Sequence, residues 1–172
     1  MKTLFLLRHC EAYHFEEDKS DHDKQLNENG KKSAELLNRW FNKRNIIIDH
    51  ILVSSAARTL ATANIIFSNL RDKMHEKKEL YLCGYKEIIQ ELSLLDNSLN
   101  NVMVIGHEPS ISESLKFLIS YCRPDLNNVT DSLYPTGGLS ILNFSIKNWH
   151  EIDEKTGILD AFLTPDYLKK NE

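Results

Sequence analysis

Three stretches of the 172-residue chain place reactive side chains directly behind apolar runs. "TLFLLRHCEA" brings Arg8, His9 and Cys10 after Thr3 to Leu7. "HILVSSAART" brings Arg58 shortly after Ser54, and "NVMVIGHEP" brings His107 after Val102 to Ile105. Planar guanidinium forks match phosphate oxygens, and an imidazole can attack phosphorus or donate to its oxygens. An isolated histidine or arginine means little. Two of each delivered by three separate segments point to a site for a dianionic phosphoryl group.

That inference needs the three segments to end at one place, and the sequence predicts that they do. Thr3 to Leu7 and Val102 to Ile105 are unbroken apolar runs, the pattern of strands covered on both faces in a parallel sheet. A third strand is predicted at His50 to Ser54 within "IIIDHILVSS". Helical spacing runs from Asn27 to Arg44, with Asn27 as N-cap and Trp40 and Phe41 in the core. Further helices are predicted over Ser55 to Leu70, Tyr81 to Asp96 and Ser110 to Tyr121, the last capped by Ser110. After an irregular segment from Cys122 to Thr136, "GGLSILNFSI" reads as a strand, and "NWHEI" and "GILDAFL" as edge strands around a turn at Asp153 to Gly157. Strands alternating with helices predict one α/β domain, a three-layer α/β/α sandwich on a mostly parallel sheet. Ligands in such sheets bind beyond the carboxyl ends of the strands.

Composition removes other functions. The net charge of −4 lacks the basic footprint of a nucleic-acid binder. Three widely spaced cysteines, Cys10, Cys83 and Cys122, form neither a zinc ribbon nor a disulfide framework, and free thiols suit a reducing compartment. The opening apolar run is cut by Arg8, too short for a signal peptide, so a cytoplasmic protein without membrane partners is expected. The remaining histidines His14, His22, His50, His75 and His150 read as structural or exposed. Asp21 and Asp23 could orient a cationic substrate ring or simply be solvated, and Thr136 with Gly137 and Gly138 could approach the pocket or form a turn.

"LRHCEA", "SSAARTLAT" and "VIGHEP" together resemble the histidine phosphatase superfamily, and most closely its SixA-type phosphohistidine phosphatase branch. "DHDKQLNENG" is similar to that branch's Asp-x-x-Arg-x-Leu-x-x-x-Gly segment, with Lys24 in the arginine position. "LY" at Leu80-Tyr81 is expected to open a helix, and "PTGGLSIL" matches the segment near the domain's end. The resemblance implies a phosphoglycerate mutase-like fold and a catalytic set of His9, Arg8, Arg58 and His107. His9 would be the nucleophile that holds the phosphoryl group until water releases it. Arg8, Arg58 and His107 would grip its oxygens, with no metal or other cofactor. The substrate would be a phosphorylated protein, such as a phosphotransfer-type histidine, or a small phosphorylated molecule. A small-molecule phosphomonoesterase and a non-catalytic phosphate-binding module are the alternatives.

Two departures qualify the resemblance. Ester hydrolases of the superfamily carry a glutamate acid after the Arg58-type helix, and no equivalent is identifiable between Arg71 and Asp96. Glu79 and Glu91 read as helix-surface carboxylates, and Glu108 as a loop contact. An alkoxide needs an acid to leave, whereas the imidazole of phosphohistidine can be protonated by solvent. The second departure is Cys10, where glycine or alanine usually stands. "HC" also opens the HCx5R loop of thiol phosphatases, but the arginine that loop needs is replaced by Glu16, followed by Glu17 and Asp18. Cys10 therefore reads first as a small residue filling a glycine or alanine site, and only as the lesser alternative as a thiol acidified by two neighbouring arginines and prone to oxidation.

Overall fold

The computed structural model describes residues 1–15, 17–126 and 133–171. Glu16, on which the dismissal of a thiol phosphatase turned, lies outside them, as does part of the segment from Cys122 to Thr136. One seven-stranded mixed sheet carries β1 (Lys2–Arg8), β2 (His50–Ser54), β3 (Met74–Lys77), β4 (Asn101–Gly106), β5 (Ile119–Cys122), β6 (Leu139–Phe144) and β7 (Gly157–Leu163). Its order is β3-β2-β4-β1-β6-β7-β5. The run β3-β2-β4-β1 is parallel throughout, and β6 is antiparallel to both its neighbours.

Alternate residues of the central strands face opposite layers. Phe5, Leu7, Met103 and Ile105 pack with α1 (Glu28–Lys43), α2 (Ala57–Ile66) and α5 (Pro165–Lys170), through residues such as Leu37, Phe41, Ala63, Ile66 and Leu168. Leu4, Leu6, Val102 and Val104 pack on the other side with α3 (Tyr85–Ser93) and α4 (Ser110–Leu118), through Ile88, Leu92, Ile111 and Leu115. This double burial explains the unbroken apolar runs, and the expected α/β/α sandwich is what the chain forms.

Several boundaries differ from the sequence-based expectation. The second helix stops at Ile66, not Leu70, although Phe67 still packs in the core. The third begins at Tyr85 behind Gly84, whose N–H donates to Glu87, so Leu80 and Tyr81 end a 3-10 turn and do not open a helix. Ser110 is the first residue of α4, not its cap, and its hydroxyl bonds the His107 carbonyl. "NWHEI" is no strand: Trp149–Glu151 is a 3-10 turn closed by the Asn148 N–H on Glu151, with Trp149 fully buried. "GILDAFL" is a strand, but β5 covers it, so it is not at an edge.

The loop after β1 is fixed to the start of α1. Asn27 caps Gly30 N–H, and its Nδ2 donates to Glu11 at 2.6 Å. A Cβ on Gly30 would stand 2.0 Å from the Glu11 carbonyl oxygen. Only glycine lets the helix approach this closely.

Candidate active site

The parallel pairing of Arg8 with Gly106, and of Val53 with Ile105, brings the carboxyl ends of β1, β4 and β2 to one edge of the sheet. His9 and His107 follow the first two ends, and Arg58 sits in the first turn of α2, beyond the third. All four predicted site residues meet there. Arg8, His9 and Arg58 line a cleft of about 190 Å³ with Glu11, Asp21 and Thr136. His107 lies beside His9, with ring centroids 5.2 Å apart and only 5% of its surface exposed. A larger hollow of about 540 Å³, between α1 and α5, contains none of these residues.

Each side chain is held. Arg8 Nη1 donates to the Tyr134 carbonyl at 2.6 Å, and the Tyr134 hydroxyl bonds back to the Leu6 carbonyl and Ser140. Arg58 grips Asp21 twice, donating from Nη1 to its carbonyl and from Nη2 to Oδ2 at 3.0 Å. Lys24 Nζ (3.2 Å) and the Tyr81 hydroxyl (3.0 Å) complete the ring of donors about that carboxylate. Burial works against ionisation of Asp21, but the bonds from Tyr81, Arg58 and Lys24 outweigh it and hold its pKa near about 2. Burial lowers the pKa of Arg8, against the attraction of nearby Glu108; a guanidinium nevertheless stays charged.

The histidines are set in a dry, positive surrounding. Burial first, then the Arg58 and Arg8 charges, lower His9 to about 4 despite its bond to Cys10. Burial, then His9 and Arg58, lower His107 to about 3. Both rings are therefore neutral at neutral pH. His9 Nδ1 lies 2.8 Å from the Cys10 carbonyl oxygen, which can only accept, so that nitrogen carries the hydrogen and Nε2 keeps its lone pair. His107 Nε2 lies 2.8 Å from the Ser54 hydroxyl, while its Nδ1 is buried without a partner.

The lesser alternative for Cys10, an acidified thiol, fails. Cys10 is fully buried in the core under α2, its N–H donates to Thr62, and burial pushes the thiol up to about 12. A thiolate there would have to give up water, and the arginines beside His9 do not compensate. Its role as a small filler is what remains: its sulfur would lie 3.5 Å from a Cβ on Gly137.

Among the secondary candidates, Thr136 lines the cleft, and Glu108 is the loop contact expected, accepting from Ser112 N–H at 3.1 Å. Asp23 is exposed and bonded to Ser20, outside the cleft. His14 is exposed at the rim of the cleft, and His22 bonds Ser55 and sets its ring edge against Tyr81, an exposed and a structural histidine as expected. His50 and His75 stack on each other at 4.0 Å, away from this edge. Sequence reasoning missed Ser54, Tyr81 and Tyr134. Ser54 alone carried a signal, as the last residue of a buried strand paired with the one that His107 follows.

Among the described residues no group of three His, Cys, Asp or Glu side chains is placed to hold a metal ion, and no helix is long and apolar enough to cross a membrane. A family model of the histidine phosphatase superfamily (branch 1) matches residues 4–87. An uncharacterised protein of Mycobacterium leprae is 24% identical over 163 residues, 92% of this chain and 99% of that one. The crystal structure of a candidate phosphohistidine phosphatase SixA from Agrobacterium tumefaciens superposes with a TM-score of 0.79 at 26% identity, covering 95% of this chain and 98% of the other. Another SixA candidate, from Nakamurella multipartitia, gives 0.81 at 25% identity over 95% and 96%.

Proposed function

We propose that the chain is a phosphohistidine phosphatase of the histidine phosphatase superfamily, working through a phosphoryl intermediate on His9, a reading supported by the family model over residues 4–87 and by the SixA-like structures. The observation that carries this reading is the bond from His9 Nδ1 to the Cys10 carbonyl. It leaves Nε2 as a neutral nucleophile at the edge of a cleft lined by two arginines. Nε2 attacks phosphorus as the bond to the substrate's imidazole nitrogen breaks. With the other ring nitrogen of that imidazole protonated by solvent, the electron pair returns to a ring that departs neutral.

In the second half, water attacks phosphorus and the pair returns to His9 Nε2. Because Nδ1 has kept its hydrogen, His9 also leaves as a neutral ring, and phosphate is released with the water's proton passed to solvent. Arg8 and Arg58 offset the charge spread over the equatorial oxygens and His107 donates a hydrogen bond to one of them, so no step calls for a metal ion.

The substrate class follows from the acids around the cleft. Asp21, near pKa 2, has no proton to give at neutral pH, and Glu11 is engaged by Asn27. An alkoxide leaving group would lack the general acid that contributes about 10²–10⁴ in rate. The test compares kcat/KM on a phosphohistidine-bearing protein with kcat/KM on alkyl phosphate monoesters. A preference of about 100-fold or more is expected; equal rates would overturn the substrate assignment.

A further inference from the structure

The two histidines differ in what holds them. His9 faces a carbonyl, which accepts only, whereas His107 faces the Ser54 hydroxyl, which can donate or accept. A neutral imidazole has one N–H, so one hydroxyl hydrogen decides which nitrogen of His107 carries it.

Hydrogen-bond accounting settles the direction. Ser54 is fully buried, and among the described residues its Oγ has no partner except His107 Nε2 at 2.8 Å. If Nε2–H donated to Oγ, the serine hydrogen would be left buried without an acceptor. With the hydroxyl donating to Nε2, that hydrogen is satisfied and only spare lone pairs on Oγ stay unused, the lesser cost. The second arrangement puts the imidazole hydrogen on Nδ1. That nitrogen is buried with no hydrogen-bond partner among the described residues, and with Nε2 spent on Ser54 it is the one left for a ligand. As Nδ1–H it attracts a phosphoryl oxygen; as a bare lone pair it would repel one.

We propose that Ser54 is a positioning residue whose hydroxyl holds neutral His107 in its Nδ1–H tautomer, turning it into a donor to the phosphoryl group. The donor role rests on reading the cleft as a phosphoryl site; the tautomer itself does not.

Two-bond 1H–15N spectra of the uniformly labelled protein near neutral pH test it, with the His107 signals assigned by their loss in His107→Gln. A protonated-type shift at Nδ1 and an unprotonated-type shift at Nε2 are expected. In Ser54→Ala, smaller than the native residue and so tolerated in the strand, the ring should lose that preference, and affinity for inorganic phosphate should fall about tenfold or more. Ser54→Thr, which keeps the hydroxyl, should restore both. A native ring with its hydrogen on Nε2, a doubly protonated ring, or a Ser54→Ala protein with unchanged tautomer and phosphate affinity would each overturn the assignment. The spectra are read on resting protein, so a failure here is separable from a failure to hydrolyse phosphohistidine.

Discussion

Acidification should weaken this protein through the two buried histidines at the cleft. His9 and His107 are 8% and 5% exposed and are lowered to about 4 and about 3, against about 6.5 when unfolded. A folded pKa below the unfolded one means that unfolding takes up a proton between those values. Stability is therefore present above about pH 6.5 and is lost as pH falls toward 4. Each ring contributes a slope of up to about 1.4 kcal/mol per pH unit, which integrates to about 2 kcal/mol between about pH 6.5 and about pH 4.5. Two rings remove about 4 kcal/mol from a total of about 5–15. Asp21 is displaced in the same direction, to about 2 when folded, but from a lower starting value, so its contribution is lost only below about pH 4, outside this window. His50, stacked on His75 and also lowered to about 4, titrates in the same window and serves as the comparison. Urea unfolding at three pH values reads the effect directly. His9→Gln and His107→Gln should each flatten the acid loss by about 2 kcal/mol. An acid loss that neither variant changes, or no loss above about pH 4.5, would refute the burial of neutral rings.

Cys10→Ala should retain most activity, and the native thiol should resist alkylation until the protein unfolds; loss on the scale of a missing nucleophile would reinstate the sulfur. Gly30→Ala forces a Cβ onto the Glu11 carbonyl and should lower Tm by about 5–10 °C, as overpacking of about 2–3 kcal/mol would. Asp21→Asn replaces the carboxylate that orients the Arg58 fork with an amide and should lower kcat/KM about tenfold, with Tm little changed. Unchanged kcat/KM would show that the backbone carbonyl of residue 21 suffices.

The central strands, and the convergence of Arg8, His9, Arg58 and His107 at one sheet edge, were legible because burial on both faces writes itself as continuous apolar sequence, and because residues at strand ends need no long-range information. Elements at the margin were not. β3, "MHEK", lies at the sheet edge with two of its four residues exposed, so its composition is that of a loop. β5 follows α4 directly, and its apolar residues read as the last turn of that helix. The short α5 did carry signals, Thr164 accepting from Tyr167 N–H and Pro165 in the first turn, but six residues give no periodicity. In "NWHEI" the strand-forming types Trp149 and Ile152 imitated a strand, while the Asn148 to Glu151 spacing spelled the turn.

At the site, the missing information was tertiary. Nothing local says that Tyr81 reaches across 60 residues to Asp21, or that the carbonyl of Tyr134 receives Arg8. The discarded alternative for Cys10 has the same origin. Sequence puts it two residues from an arginine, which argues for a thiolate, but the chain turns it away from the cleft into the core beside Thr62. Desolvation then outweighs the neighbouring charge.

The central claim is that His9 Nε2 carries the phosphoryl group. Protein mixed with a 32P-labelled phosphohistidine protein or phosphoramidate and quenched in base within the first turnover should hold acid-labile, base-stable label on a single peptide containing His9. His9→Ala should hold none. Label that persists in His9→Ala, or rapid turnover by the native enzyme with no trappable label on His9, would contradict the account.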